Sequence, residues 1–139
     1  MCQQLVSAYR RTHYRVADQG YAFTMLIDQP CLALQECMAR AQVREVALIT
    51  AWNPRSAPTS QEANDRAQRS LRSELATQAW PLLHGVGVDP DGHWPSEPNL
   101  LILGIARAQA SALGRSYRQN AIVVATASDA ATPRLLLLF

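Results

Sequence analysis

Apolar positions along this chain keep two rhythms, and stretches of one alternate with stretches of the other. Leu34, Cys37, Met38 and Ala41 recur at intervals of three and four, as do Ala63, Ala67, Leu71 and Leu75, and later Ala110, Leu113 and Tyr117. That spacing is the mark of a helix with one buried face. Gln4–Thr12, with Leu5, Ala8 and Tyr9, reads as a further short helix. Between these segments lie compact apolar runs. Glu45–Thr50, Trp80–Val88, Leu100–Ile105, Ala121–Thr126 and Arg134–Phe139 read as strands, and the near-continuous apolar character of Val46–Ile49 predicts a strand covered on both faces. His13–Ala17 and Tyr21–Ile27 flank Asp18-Gln19-Gly20 and read as a hairpin.

Local signals set the helix starts. Pro30 suits the first turn of the second helix, where its missing N–H costs nothing. Thr59 and Glu62 have capping-box spacing at the start of the third. Glu62/Arg66 and Asp65/Arg69 stand four apart, so the charge on that helix reads as a solvated, ion-paired face. From residue 45 to residue 126 the order is strand, helix, strand, strand, helix, strand. This predicts an α+β protein with a ferredoxin-like split βαβ core over 45–126. An N-terminal helix and hairpin and a C-terminal strand are added to it, in a single domain over 1–139.

Composition changes this picture little. Hydrophobic residues make up 48% and charged residues 17% of the 139, a globular balance. The formal net charge of +2 is too mild to argue for a nucleic acid. All thirteen basic residues are Arg, which fits a GC-rich genome as well as a taste for carboxylate or phosphate partners. The three cysteines, Cys2, Cys31 and Cys37, form no paired spacing, so neither a disulfide framework nor a zinc ribbon is expected. The N-terminal stretch does not resemble a signal peptide, and the longest apolar run, Leu100–Ala106 counting Gly104, is far short of a membrane span. A cytoplasmic protein without membrane contact is the expectation.

Chain direction supplies the functional argument. In the expected core, the exit of the first core strand at Trp52–Ser56, the helix start at Thr59–Arg66, the loop Asp89–Pro98 and the turn at Gln119-Asn120 all arrive at one rim of the sheet. The helix N-terminus there also presents free N–H groups that suit an anion. Asn53, Ser56, Asn64, Arg66, Trp94, Glu97, Gln119 and Asn120 are the candidate ligand-binding residues, and Glu62 and Glu97 the candidate acid/base groups. Each also has a plain structural role available. Asn53 can end a strand through an Asx turn, Glu62 can cap, Arg66 can pair with Glu62, and Gln119 and Asn120 can close a helix C-terminus. Trp94 can cover the edge of the core. His84, Asp89, Asp91 and His93 have the ligand types of a metal site but no recognised spacing, so no metal is assigned. Gly85-x-Gly87 lacks the following helix of a dinucleotide loop and reads as close packing. No cofactor is implied.

The same residues carry a resemblance. Thr50-Ala51-Trp52-Asn53-Pro54-Arg55-Ser56, Glu62-x-Asn64-x-Arg66, Gly85-x-Gly87-x-Asp89-Pro90 with Trp94 and Glu97-Pro98, and Gln119-Asn120-Ala121 resemble a family of short bacterial proteins, domain of unknown function 3293. The likeness runs from about Ala8 to the C-terminus. It implies a bacterial source and one stand-alone domain, and no activity. Asn99 departs from the pattern, which leads one to expect a small hydroxyl residue there. Two readings follow: a site for a small polar or anionic ligand such as a nucleotide or metabolite, with or without catalysis, or a protein-interaction or regulatory module. In the second, a homo-oligomer forms through the apolar sheet edge at Leu135–Phe139.

Overall fold

The computed structural model describes residues 3–138; Cys2, and Phe139 at the end of the expected last strand, lie outside them. The elements follow one another as α1 (Gln3–Arg11), β1 (His13–Asp18), β2 (Tyr21–Met25), α2 (Leu32–Ala41), β3 (Glu45–Ile49), α3 (Gln61–Ala76), β4 (Leu82–Val88), β5 (Glu97–Leu103), α4 (Arg107–Ser116), β6 (Ala121–Thr126) and β7 (Arg134–Leu137). The protein is α+β. Among the described residues seven strands form one sheet in the order β2-β1-β4-β5-β3-β6-β7, and every neighbouring pair is antiparallel.

Why the central strands are apolar at nearly every position is now plain. Leu48, Leu101, Leu103, Val123 and Ala125 point to one face, where they meet Leu34, Cys37 and Met38 of α2 and Val16 and Met25 of the hairpin. Ala47, Ile49, Leu100, Ile102, Ile122 and Val124 point to the other, against Leu71 and Leu75 of α3 and Ala110 and Leu113 of α4. A strand buried on both sides cannot alternate apolar with polar residues. Gly85 of β4 marks a tight contact between strands: a Cβ there would sit 2.6 Å from the carbonyl oxygen of Arg15 and 2.7 Å from Oδ1 of Asn99.

Several sequence expectations are corrected at the element ends. Pro30 stands before the helix rather than in its first turn, because Cys31 takes the N-cap position of α2. Ser60, not Thr59, caps α3, its Oγ accepting from the Ala63 N–H at 3.1 Å, and Glu62 takes no part. The expected pairs Glu62/Arg66 and Asp65/Arg69 do not form among the described residues; Asp65 instead accepts from Gln61 Nε2 at 3.2 Å. The buried stripe of α3 is Asn64, Gln68, Leu71 and Leu75, displaced by one residue at its N-terminal half from the expected Ala63 and Ala67. β5 begins at Glu97, three residues earlier than expected, so Glu97 and Asn99 belong to a strand and not to the preceding loop.

Candidate functional site

The site grows from the way β3 ends. After Ile49 the chain leaves the ladder, and the N–H groups of Ala51 and Asn53 lose their strand partners. Gln68 Oε1 accepts from Ala51 N at 3.0 Å, and Asn64 Oδ1 accepts from Asn53 N at 2.8 Å. The match is geometric: two residues of extended chain advance about 6.6 Å, and four residues of helix rise about 6.0 Å. Two buried amides one helical turn apart therefore serve two alternate backbone donors, replacing the missing strand. Thr50 Oγ1 completes the exit by donating to the Pro98 carbonyl at 2.7 Å and accepting from Trp52 N at 3.0 Å. Pro98 is tolerated inside β5 because it faces this stretch, where β3 has already stopped and no ladder bond needs its N–H.

Asn53 is the node of the rim. Its backbone is left-handed (φ 45°), as are Arg55 (φ 60°) and Ser56 (φ 59°), a cluster that costs on the order of 1 kcal/mol or more per residue and persists because surrounding bonds fix it. Asn53 Oδ1 accepts from Asn64 Nδ2 at 2.8 Å and from Thr59 N at 3.2 Å, while its Nδ2 donates to Glu97 Oε1 at 3.0 Å. Gln119, buried, donates through Nε2 to the Trp52 carbonyl at 3.2 Å. Asn120 Nδ2 donates to Ser56 Oγ at 3.1 Å, and Ser56 Oγ is in turn hydrogen-bonded to the Tyr9 hydroxyl of α1. The Tyr14 hydroxyl donates to the Tyr9 carbonyl at 3.1 Å.

These bonds frame a partly open cavity of about 510 Å³ beside α1, a volume within the ordinary range for small-molecule sites. Its walls bring together Tyr9, Thr12 and Tyr14 from the N-terminal elements, Trp52, Asn53 and Ser56 from the rim loop, Asn64 from α3, Trp94 to Glu97 and Asn99 from around the start of β5, and Gln119. Burial pushes the Glu97 carboxyl above its usual range, and the bond from Asn53 only partly offsets this. The Tyr14 hydroxyl is raised too, chiefly by burial, with the nearby Glu97 adding to it. At Asp89, burial is outweighed by the N–H groups of Asp91 and His93, at 3.0 and 2.7 Å, so its carboxyl is held below the usual value.

Of the residues expected from sequence, Asn53, Ser56, Asn64, Trp94, Glu97 and Gln119 line this space. Asn120 stands one bond behind Ser56. Glu62 and Arg66 are exposed on the outer side of α3 and do not line the cavity. The left-handed residue closing α4 is Arg118 (φ 58°), not Asn120. Asp89, Asp91 and His93 have ligand atoms within 4.8 Å of one another, but both Asp89 oxygens already accept backbone N–H groups, and His84 pairs instead with Asp18 at 3.0 Å. Tyr9, Thr12, Tyr14, Gln68 and Asn99 escaped the sequence reading as site residues. For Gln68 a signal existed: it repeats Asn64 at i+4.

Fold and site together define an α+β protein with a small-molecule-sized cavity at one end of an antiparallel sheet. The chain belongs to the family described as protein of unknown function DUF3293, whose model matches residues 49–122. No curated protein and no solved structure matches it. Among the described residues no helix is long and apolar enough to cross a membrane.

Proposed function

We propose that the chain binds a small polar ligand in this cavity, with Glu97 placed to act as general acid or base if the ligand reacts. One observation carries the reading: four segments distant in sequence are hydrogen-bonded through their side chains around one partly open cavity, and the network ends on an ionisable group, Glu97. The ferredoxin-like reading of 45–126 belongs here too. It is supported by the strand order β4-β5-β3-β6 with antiparallel neighbours, and by α3 and α4 sharing one face. The unpaired buried thiols of Cys31 and Cys37 support a reducing, cytoplasmic setting.

A thermal-shift screen of nucleotides and metabolites, with every hit mapped by amide chemical shifts, tests the proposal. Hits should perturb Tyr14, Ser56, Glu97 and Asn99 together. A screen whose hits all map elsewhere, or that yields none, removes the cavity from consideration. The rival reading rests on the unpaired outer edge of β7, where Leu137 is exposed; concentration-dependent light scattering would register self-association through it.

A further inference from the structure

The charge of the cavity narrows its ligand. Among the described residues that line it there is no Arg and no His, and its charged groups are the carboxylates Glu97 and Asp89. Asp89 is already satisfied, because its two oxygens accept from the N–H groups of Asp91 and His93. Glu97 is not. Its Oε1 accepts one bond, from the neutral Asn53 amide. Its Oε2 accepts from no described residue, yet keeps accessible surface on a side chain that lines the cavity.

Elsewhere the chain gives its carboxylates cations. Asp28, though exposed, has Arg10 at 2.6 Å and Arg134 at 3.1 Å, and Asp129 has Arg134 at 2.9 Å. Glu97 is withdrawn from water, where a carboxylate is costly unless a cation or several donors meet it, and burial raises its pKa. The arginines nearest in sequence to the rim segments, Arg55, Arg66 and Arg118, are exposed and line no part of the cavity. An anion entering here would face Glu97 with no cation to offset the repulsion. The expected anion site at the α3 N-terminus already has its Ala63 N–H taken by Ser60 Oγ. The rest of the lining describes the body that a ligand would carry. Tyr14, Trp52 and Trp94 offer aromatic surface, whose faces attract cations, and Leu5, Leu48 and Leu135 offer aliphatic surface.

Resting on the cavity reading above, we infer that the site takes a hydrophobic amine, its ammonium head held by the open oxygen of the Glu97 carboxylate and its apolar body lying against the aromatic and aliphatic walls. The ammonium supplies the cation that Glu97 lacks, and the bond between them is charge-assisted at both ends. A neutral head of the same shape keeps the contacts of the body and forfeits that assistance, and an anionic head reverses it.

Three probes that share a phenethyl body and differ in the head group test this: phenethylamine, phenethyl alcohol and phenylpropionate, titrated into the full chain and followed by calorimetry and amide shifts. Phenethylamine should bind at least about tenfold more tightly than the alcohol, the carboxylate should bind most weakly, and the amine should perturb Tyr14 and Glu97. Through the acid-to-neutral range the ammonium stays charged, so amine affinity should rise with pH as Glu97 ionises, and binding should release protons to the buffer. Glu97→Gln should lose about tenfold in amine affinity and abolish the proton release, while leaving the affinity for the alcohol unchanged; a merely structural role for Glu97 would weaken both alike. If Glu97→Gln fails to fold, the pH profile and proton release of the unaltered chain decide. The alcohol or the carboxylate binding as well as the amine, amine shifts mapping away from Glu97, an affinity indifferent to pH, or no amine binding at all overturns the inference. The cavity reading survives those results if the alcohol or a hit from the broader screen occupies the same space, and falls with them if nothing does.

Discussion

Truncating Asn64 to alanine should destabilise the protein far more than its place near a helix start suggests. The side chain is 3% exposed and makes two bonds of 2.8 Å to Asn53, one accepting from the backbone N–H and one donating to Oδ1. Two lost hydrogen bonds are worth about 1 kcal/mol each, and the partly buried Asn53 N–H left behind adds a penalty of similar size, for a total near 3 kcal/mol. A chain of 139 residues has an unfolding entropy of about 0.3 kcal/mol per degree, so the melting temperature should fall by roughly 10 °C. Calorimetric melts of the wild type, Asn64→Ala, Asn64→Asp and the exposed neighbour Arg66→Ala give the comparison. Arg66→Ala should shift stability by no more than about 0.5 kcal/mol. Asn64→Asp keeps an acceptor for the Asn53 N–H but opposes a carboxylate to Asn53 Oδ1. Its ionised form is disfavoured on folding, so its stability should recover as pH falls and the protonated carboxyl regains a donor. If Asn64→Ala melts within about 2 °C of the wild type, the two amides do not hold the strand exit and the account of the rim is wrong.

Other outcomes follow from the same geometry. Glu97 has a folded-state pKa raised by burial, so its protonation-linked stability is complete below the ordinary glutamate value and is lost as pH rises through the folded one. Glu97→Gln should therefore melt above the wild type at pH 7, with the gap closing toward pH 4; equal gaps at both would contradict this. Gly85→Ala places a methyl group against the Arg15 carbonyl and should cost about 1–3 kcal/mol in a denaturant titration. Gly114→Ala, which meets side-chain methyls of Leu138 and Ile122 rather than backbone, should cost less. The Asp28 carboxyl is held low by Arg134 and Arg10, at 3.1 and 2.6 Å. It contributes stability above the ordinary aspartate value that is lost as pH falls through its folded pKa, so Asp28→Asn should flatten the acid limb of the melting profile below the ordinary aspartate pKa.

The alternation of rhythms was enough to order every element correctly, since burial on both faces writes an unbroken apolar run and burial on one face writes a helical stripe. It was also enough to bring Asn53, Asn64, Glu97 and Gln119 to one end, because that follows from chain direction alone. The face of α3 was misread for a definite reason. A periodicity argument assumes that what is buried is apolar, whereas Asn64 and Gln68 are buried to satisfy backbone donors that exist only once the strand has ended. Glu97 was read as part of the polar loop Asp89–Pro98; Pro98 fits inside β5 because it faces the stretch where β3 has already stopped, so its missing N–H is harmless. Asn99 could not be singled out, because its cross-strand partner is Gly85 and the room its side chain takes over that glycine appears only once β4 and β5 are paired. The contribution of α1 and the hairpin was hidden because strand β1 docks on β4, some seventy residues away.

That docking divides the labour. The rim amides Asn53, Asn64 and Gln119 and the Glu97 carboxyl come from the stretch matched by the family model, while Tyr9, Thr12 and Tyr14 come from residues before position 49. Substitutions along the first fourteen residues can therefore reshape what fits inside without disturbing the hydrogen-bonded frame of Asn53, Asn64, Gln68 and Glu97, so the fit to a ligand and the integrity of the frame can change independently.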